Sequence, residues 1–238
     1  MLEISNVRLP LDAGLPDGGH LIERAAARAL GVKPAAIKEV RLLKRSVDAR
    51  KKSSGDVHFI ATLGVSLKDA SQEQGLLGKK GVKLHEPYEP LEIPAVPASA
   101  RDAEPRPIVV GSGPAGLFAA LCLARAGLRP LVLERGGDVD ERQEAVAAFD
   151  GGGPLDVRTN IQFGEGGAGT FSDGKLTTNV KSPFLPHVLH WFVGAGAPEE
   201  ILWKAKPHIG TDLLVDVVRA LRRQIEEAGG QVRFHAQL

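Results

Sequence analysis

The stretch that decides the fold is PIVVGSGPAGLFAALCLARAGLRPLVLERG, which occupies residues Pro107–Gly136. It opens with a short apolar run, Ile108–Val110, that predicts a buried strand. A glycine-rich turn follows, and Pro114 stands where the first turn of a helix tolerates a missing N–H. Gly127 predicts the end of that helix, and Pro130–Glu134 predicts a second strand. The order of strand, turn, helix and strand predicts a parallel βαβ unit.

The turn is a G-x-G-x-x-G sequence, made of Gly111, Ser112, Gly113, Pro114, Ala115 and Gly116. In this sequence the first glycine permits a tight turn, the second lets the backbone approach a pyrophosphate, and the third allows close packing of helix on strand. The N–H groups at the helix start then face the diphosphate. We therefore predict a dinucleotide-binding domain of the Rossmann type.

Glu134 lies at the end of the second strand. A carboxylate at this place accepts hydrogen bonds from ribose hydroxyls and disfavours a 2′-phosphate, although the neighbouring Arg135 weakens that preference. The motif and Glu134 together leave FAD and NAD open as ligands.

Composition divides the chain into three segments. Residues 1–84 predict a small α+β domain, residues 85–106 a proline-rich linker, and residues 107–238 the FAD/NAD(P)-binding domain. The predicted fold class is therefore α/β, with a small α+β domain in front of an incomplete Rossmann-type domain.

Within the first segment, LEISNVRL predicts a strand and Leu21–Leu30 a helix that stops at Gly31. Alternating apolar residues around Val40 and again from Val57 predict a hairpin, with KKSSGD as its loop. A short helix around Lys68–Leu77 is expected to follow.

Within the third segment, Asp140 and Gln143 predict a capping box for a helix that ends at Phe149. The dipeptides Ser182-Pro183 and Ala197-Pro198 predict two more helix starts. The last helix, Asp212–Ala228, is predicted by an apolar stripe that comprises Leu213, Leu214, Val217, Val218, Leu221 and Ile225. A third strand is expected in QVRFHAQ.

Several segments together resemble a known family: VVGSGPAGLFAAL, LVLERG, NIQFGEGGAGTFSDGKLTT, GAPEEIL and PHIGTDLL. They are similar to bacterial FAD-dependent dehydrogenases, also called NAD(P)/FAD-dependent oxidoreductases, within the glutathione-reductase-like flavoproteins. KRSVDARKK resembles the small N-terminal domain of the same family. The resemblance implies that Gly111, Gly113, Gly116 and Glu134 hold FAD, and that a strand near Val232–Phe234 leads to the adenine. It also implies a longer protein, with a substrate region and a second FAD motif beyond Leu238.

The same resemblance places a glycine-rich loop, residues 164–175, along the diphosphate and flavin. Its backbone N–H groups can reach phosphate and flavin oxygens, and its candidate contacts are Gly166, Gly167, Ala168 and Gly169. Lys175 would stabilise negative charge on a reduced flavin. Asp173 has two open interpretations, as a group near the flavin or as a residue that caps or turns the loop.

The implied activity is flavin-mediated hydride transfer on a small-molecule substrate, with NAD(P)H as a candidate electron donor. Three alternatives stay open: a flavin-dependent RNA-modifying enzyme, an NAD-binding dehydrogenase, and a non-catalytic dinucleotide-binding module. No residue can be assigned as a catalytic acid or base, and the patterns identify neither the substrate nor an oligomeric state.

Composition constrains the partners and the compartment. The net charge of +1 gives no reason to expect a nucleic-acid or membrane partner. The single cysteine, Cys122, forms no intrachain disulfide, which suits the cytoplasm, and it is expected to be a buried small apolar residue. No metal-ligand pattern is present, and we assign His187 and His190 to helix-surface packing. The basic run Lys38–Lys52 is interpreted as an exposed hairpin face, with phosphate or nucleic-acid binding as the alternative.

Overall fold

The computed structural model describes residues 1–50, 57–101, 105–172, 174–178 and 180–238. The chain forms two compact units. Residues Met1–Glu89 and Leu202–Pro207 make the first, and residues Pro90–Ile201 and His208–Leu238 make the second. The domain boundaries proposed from composition stay a prediction. The predicted KKSSGD loop and Asp173 lie outside the described residues.

The first unit is an antiparallel sheet with a helix against it. Its strands are β1 (Leu2–Leu9), β2 (Ile37–Asp48), β3 (His58–Leu67) and β4 (Val82–Leu84), in the order β2-β3-β1-β4. Its helices are α1 (Gly19–Leu30) and the short α2 (Ser71–Gln74). The predicted stop of α1 is present, because Gly31 adopts φ 71° and caps the helix. The helix expected over Lys68–Leu77 is shorter than predicted.

The core of the first unit lies between α1 and the sheet. In β1, Ile4 and Val7 are both buried although they are three positions apart, which in a regular strand would place them on opposite faces. A register shift between them, with Asn6 at φ 59°, turns both side chains inward. Ala26, Ala27 and Leu30 of α1 complete this core. The bulge therefore lets the apolar residues on both sides of it face the core, although they do not alternate strictly along the strand.

The second unit contains a parallel sheet, as predicted. Its strands are β5 (Ile108–Val110), β6 (Leu131–Leu133) and β7 (Gln231–Arg233), in the order β5-β6-β7. Its helices are α3 (Ala98–Arg101), α4 (Pro114–Arg125), α5 (Val139–Asp150), α6 (Leu185–Gly194) and α7 (Thr211–Glu227). Helix α4 connects β5 to β6, which is the right arrangement for a dinucleotide-binding βαβ unit.

The start of α5 differs from the prediction. Its N-cap is Asp138 rather than Asp140, and Asp138 Oδ1 accepts hydrogen bonds from the N–H groups of Asp140 and Glu141 at 3.0 Å each. The sequence DVDER offers two acids two positions apart, and the earlier one caps the helix. The capping box predicted for Asp140 and Gln143 is therefore wrong.

Two other helices also differ in detail. Of the two starts predicted at prolines, the first yields α6, whereas the second yields only a 3₁₀ turn, Glu199–Leu202. In α7, Leu213 is 39% exposed and Val215 is buried, so the predicted stripe is shifted at its first turn.

None of the helices in the described part of the chain combines the length and apolar character that crossing a bilayer requires.

Candidate dinucleotide-binding site

The G-x-G-x-x-G segment, Gly111–Gly116, is called the fingerprint turn below, and it joins β5 to α4. Gly111 adopts φ 91°, and its N–H donates to the Leu133 carbonyl at 2.8 Å, which ties the turn to β6. A Cβ on Gly116 would lie 2.0 Å from the Gly111 carbonyl oxygen, so only glycine fits there. A Cβ on Gly113 would meet nothing within 4 Å. The third glycine is thus required by packing, whereas the second leaves space in front of the helix start.

That space faces the N-terminus of α4. Gly113 is the N-cap residue and makes no side-chain cap, and Pro114 begins the helix without an N–H. Ala115 is exposed in the next position. A helix start of this kind carries partial positive charge and N–H donors that suit a phosphate.

Glu134 fixes the fingerprint turn by accepting hydrogen bonds from it. Its side chain is 4% exposed. Its Oε2 accepts from the N–H and the hydroxyl of Ser112 at 2.8 Å each, and its Oε1 accepts from the Gly136 N–H at 2.9 Å. Burial raises the pKa of Glu134, but these hydrogen bonds and the charge of Arg142 outweigh it and hold the pKa below its ordinary value. A carboxylate has about four acceptor positions, so about one is left after these three hydrogen bonds.

Arg135 points away from this network. It is exposed, and its guanidinium carbon lies 4.1 Å from the centre of the Phe163 ring. The side chain therefore stacks on the residue that directly precedes the glycine-rich loop.

The glycine-rich loop packs directly on the fingerprint turn. The Gly166 N–H donates to the Ser112 carbonyl at 3.0 Å, and a Cβ on Gly167 would lie 2.7 Å from Pro114 Cδ. Gly166 and Gly167 have φ of 78° and 75°, which favours glycine at both positions. The structure thus brings together two glycine-rich segments that are distant along the chain.

The rest of the loop is more open. Ala168 and Gly169 are exposed and begin a 3₁₀ turn, and a Cβ on Gly169 would meet nothing within 4 Å. Lys175 is exposed and forms an isolated antiparallel bridge with His208. Gly169 and Lys175 border an apolar cavity of about 380 Å³ that also contacts Pro114, Phe118 and Phe192. Lys175 supplies the charged group of its lining.

Arg142 of α5 is a central residue that the sequence patterns did not identify. It is completely buried, and its guanidinium donates to the carbonyl of Asn160 at 3.1 and 3.2 Å and to that of Gly167 at 3.2 and 3.3 Å. It also donates to the Glu165 carbonyl and lies over the Phe171 ring. Burial lowers the pKa of Arg142 to about 10, against the opposing charges of Glu134 and Glu165. The sequence of α5 shows no pattern that marks Arg142 as a buried residue, because its partners lie in a loop that is distant along the chain.

Glu165 is the buried acid beside this arginine. Its side chain is 0% exposed, its Oε2 accepts from the Val139 N–H at 2.7 Å, and its Oε1 lies 3.3 Å from Arg222 Nε. Burial raises the pKa of Glu165 to about 7, although the charge of Arg222 opposes that rise. Glu165 therefore joins the loop to α5 and α7.

The remaining candidate groups are a cysteine and two histidines. Cys122 is half-buried, and burial raises the pKa of its thiol, with Arg125 opposing. Burial, followed by the charge of His187, lowers the pKa of His190. Among the described residues, no three His, Cys, Asp or Glu side chains are grouped so that they could hold a metal ion.

Comparisons with known proteins agree with the geometry of the second unit. Residues 109–163 match the model of an NAD(P)-binding Rossmann-like domain, and residues 1–66 match a domain of unknown function, DUF8436. An uncharacterized protein of Clostridium beijerinckii is 43% identical over 237 residues, which cover 100% of this chain and 43% of that relative. The chain thus spans less than half the length of the relative. It contains a Rossmann-like nucleotide-cofactor domain, a type of domain typical of oxidoreductases.

The buried guanidinium of Arg142 predicts a large stability effect. Replacing it with methionine (Arg142→Met) leaves the inward-facing loop carbonyls without donors. We expect the free energy of unfolding to fall by at least about 3 kcal/mol, as measured by urea denaturation. Arg223→Met, which changes an exposed arginine of α7, is the control and should change stability little. Equal effects of the two substitutions would contradict the role given to Arg142.

The raised pKa of Glu165 predicts a pH-dependent stability. Below its ordinary pKa of 4.5 the carboxyl is protonated in both states. Between pH 4.5 and about pH 7 the folded protein keeps a proton that the unfolded chain has released, so stability falls as the pH rises and levels off above that range. In Glu165→Gln this part of the decline should disappear from urea midpoints measured across the range. The exposed Glu144→Gln should retain the wild-type profile, and an unchanged profile in Glu165→Gln would contradict the assignment.

Proposed function

We propose that the second unit binds FAD and that the chain belongs to an FAD-dependent oxidoreductase acting on a small-molecule substrate. The observation that carries this proposal is the contact between the two glycine-rich segments, in which Gly166 bonds Ser112 and Gly167 packs on Pro114. A second backbone segment beside the pyrophosphate turn suits a ligand that extends beyond the diphosphate. The resemblance of the loop to the flavoprotein motif points the same way.

The residues present fit a dinucleotide. Gly113 leaves the start of α4 uncovered, so the first helical N–H groups can receive a diphosphate. Glu134 keeps one acceptor position for a ribose hydroxyl, and its bonds to Ser112 and Gly136 fix its orientation. The protein would thus bind the nucleotide half with backbone donors and one carboxylate.

The residues beyond the turn fit an extended ring. The cavity beside Pro114 and Gly169 is lined mainly by apolar groups, which exclude water from whatever binds there. Lys175 lies in the lining and would place a positive charge against a ring that gains negative charge. FAD, when bound, would supply hydride transfer, with NAD(P)H as the proposed electron donor.

A second candidate is an NAD-dependent dehydrogenase. It is favoured by the Rossmann-like family match and by Glu134, whose carboxylate suits an unphosphorylated ribose. The contact between the two glycine-rich segments favours FAD over this alternative, because it adds a binding surface that the fingerprint alone does not need.

The proposal predicts FAD binding that depends on Gly113. The purified chain is incubated with FAD or NAD, and two properties are measured: the flavin spectrum retained after gel filtration, and the shift of Tm. We expect FAD to raise the Tm, and Gly113→Val to weaken FAD binding at least about tenfold, because its side chain fills the space for the diphosphate.

Gly19→Val is a matched control, since Gly19 also stands at a helix start with nothing within 4 Å of its Cβ. It should bind FAD like the unchanged chain. If FAD neither remains bound nor raises the Tm while NAD does raise it, the NAD alternative replaces the flavin proposal.

A further inference from the structure

A basic pocket lies in the first unit, at the edge strand β2. Here the segment Leu202–Pro207 runs beside the strand. The Arg45 N–H donates to the Trp203 carbonyl at 2.7 Å, and the Ala205 N–H donates to the Arg45 carbonyl at 2.9 Å. The segment thus brings Trp203, Lys204 and Lys206 to the basic part of β2. No pattern in the sequence connects these two stretches.

The guanidinium of Arg45 lies over two aromatic rings. Its central carbon lies 4.5 Å from the centre of the Phe59 ring and 4.6 Å from that of Trp203. Two cation–π contacts restrict the movement of the side chain and remove part of its hydration. Arg45 also lines a pocket, so its guanidinium borders space that a ligand can enter.

The guanidinium N–H groups have no hydrogen-bond acceptor or ion-pair partner among the residues that the structure describes. The nearby acid is already engaged, since Asp48 accepts from Arg50 at 2.6 and 2.9 Å. A planar cation whose donors are unmatched suits a carboxylate or phosphate. This differs from Arg142, whose donors are consumed by the loop.

A pocket of about 290 Å³ opens beside Arg45. Lys204 and Lys206 lie in its lining, and the lining contains no carboxylate among the described residues. The Ser46 hydroxyl is directed to the Ile60 carbonyl at 3.4 Å. The pocket thus concentrates positive charge and suits a multiply charged anion rather than a single carboxylate.

We infer that this pocket, defined by Arg45, Lys204 and Lys206, binds a phosphate group. The pocket offers cationic groups to the anion, and the neighbouring Phe59 and Trp203 rings already contact Arg45. The phosphate is either that of a small phosphorylated molecule or that of a single-stranded RNA backbone. This inference is independent of the dinucleotide site, because it uses residues of the first unit only.

The test uses Trp203 as a local reporter. The chain has two tryptophans, so Trp191→Phe leaves Trp203 as the only one. Pyrophosphate is titrated into this variant at constant ionic strength, and the tryptophan emission is followed. We expect a saturable change that chloride does not produce, with affinity reduced at least about tenfold in Arg45→Gln and several-fold in Lys206→Gln.

Lys38→Gln is the matched control, because Lys38 is an exposed cation on the same strand, and its affinity should be unchanged. Lys206 is exposed at the pocket, so Lys206→Gln tests the site even if Arg45→Gln releases the segment. The inference is overturned if pyrophosphate leaves the Trp203 emission unchanged, or if Lys206→Gln and Lys38→Gln bind it equally well.

A second arm distinguishes the source of the phosphate. Binding of a fluorescein-labelled oligouridylate is measured by anisotropy with and without competing pyrophosphate. RNA affinity that exceeds that of pyrophosphate and falls in Lys206→Gln assigns the site to a nucleic-acid backbone. Pyrophosphate binding that depends on Lys206, with RNA binding that does not, assigns it to a small phosphorylated molecule.

Discussion

The guanidinium of Arg142 is the interaction on which the candidate site depends. The loop that follows α5 turns its carbonyls inward at Asn160, Glu165 and Gly167, and buried carbonyls without donors are costly. A planar group with five N–H donors satisfies several of them from one point. The cost of burying the charge is offset by these charge-assisted bonds and by the nearby carboxylates of Glu134 and Glu165.

Through the glycine-rich loop, Arg142 also constrains the fingerprint turn. The loop that it holds donates through Gly166 to the Ser112 carbonyl, and Ser112 in turn donates to Glu134. Helix α7 fixes the other side, because Arg222 lies 3.2 Å from Asp138 and 3.3 Å from Glu165. The cap of α5, the buried acid and the glycine-rich loop are thus one electrostatic network. A change in the charge of Glu165 therefore acts on the geometry of the loop as well as on stability.

The sequence was informative where the signal is local. The fingerprint, β5 and β6 follow from residues that are close together in the chain, and α7 follows from a helical period that fails only at Leu213. The choice between Asp138 and Asp140 as the N-cap could not be made from spacing, since both acids precede a helical stretch. The role of Arg142 and the pairing of Trp203 with β2 depend on contacts between residues that are distant along the chain. Such contacts produce no periodic pattern in a single sequence.

Arg142 and Arg45 show how the same side chain acquires opposite uses. Both stack on aromatic rings, but Arg142 meets inward carbonyls, whereas Arg45 faces a pocket with two lysines. Arg142 therefore stabilises the protein's own loop, whereas Arg45 keeps donors that can bind a ligand. The two proposed phosphate sites should also respond differently to salt. A helix N-terminus contributes partial charges and directed N–H bonds, whereas the β2 pocket contributes full charges near solvent, which salt screens more strongly.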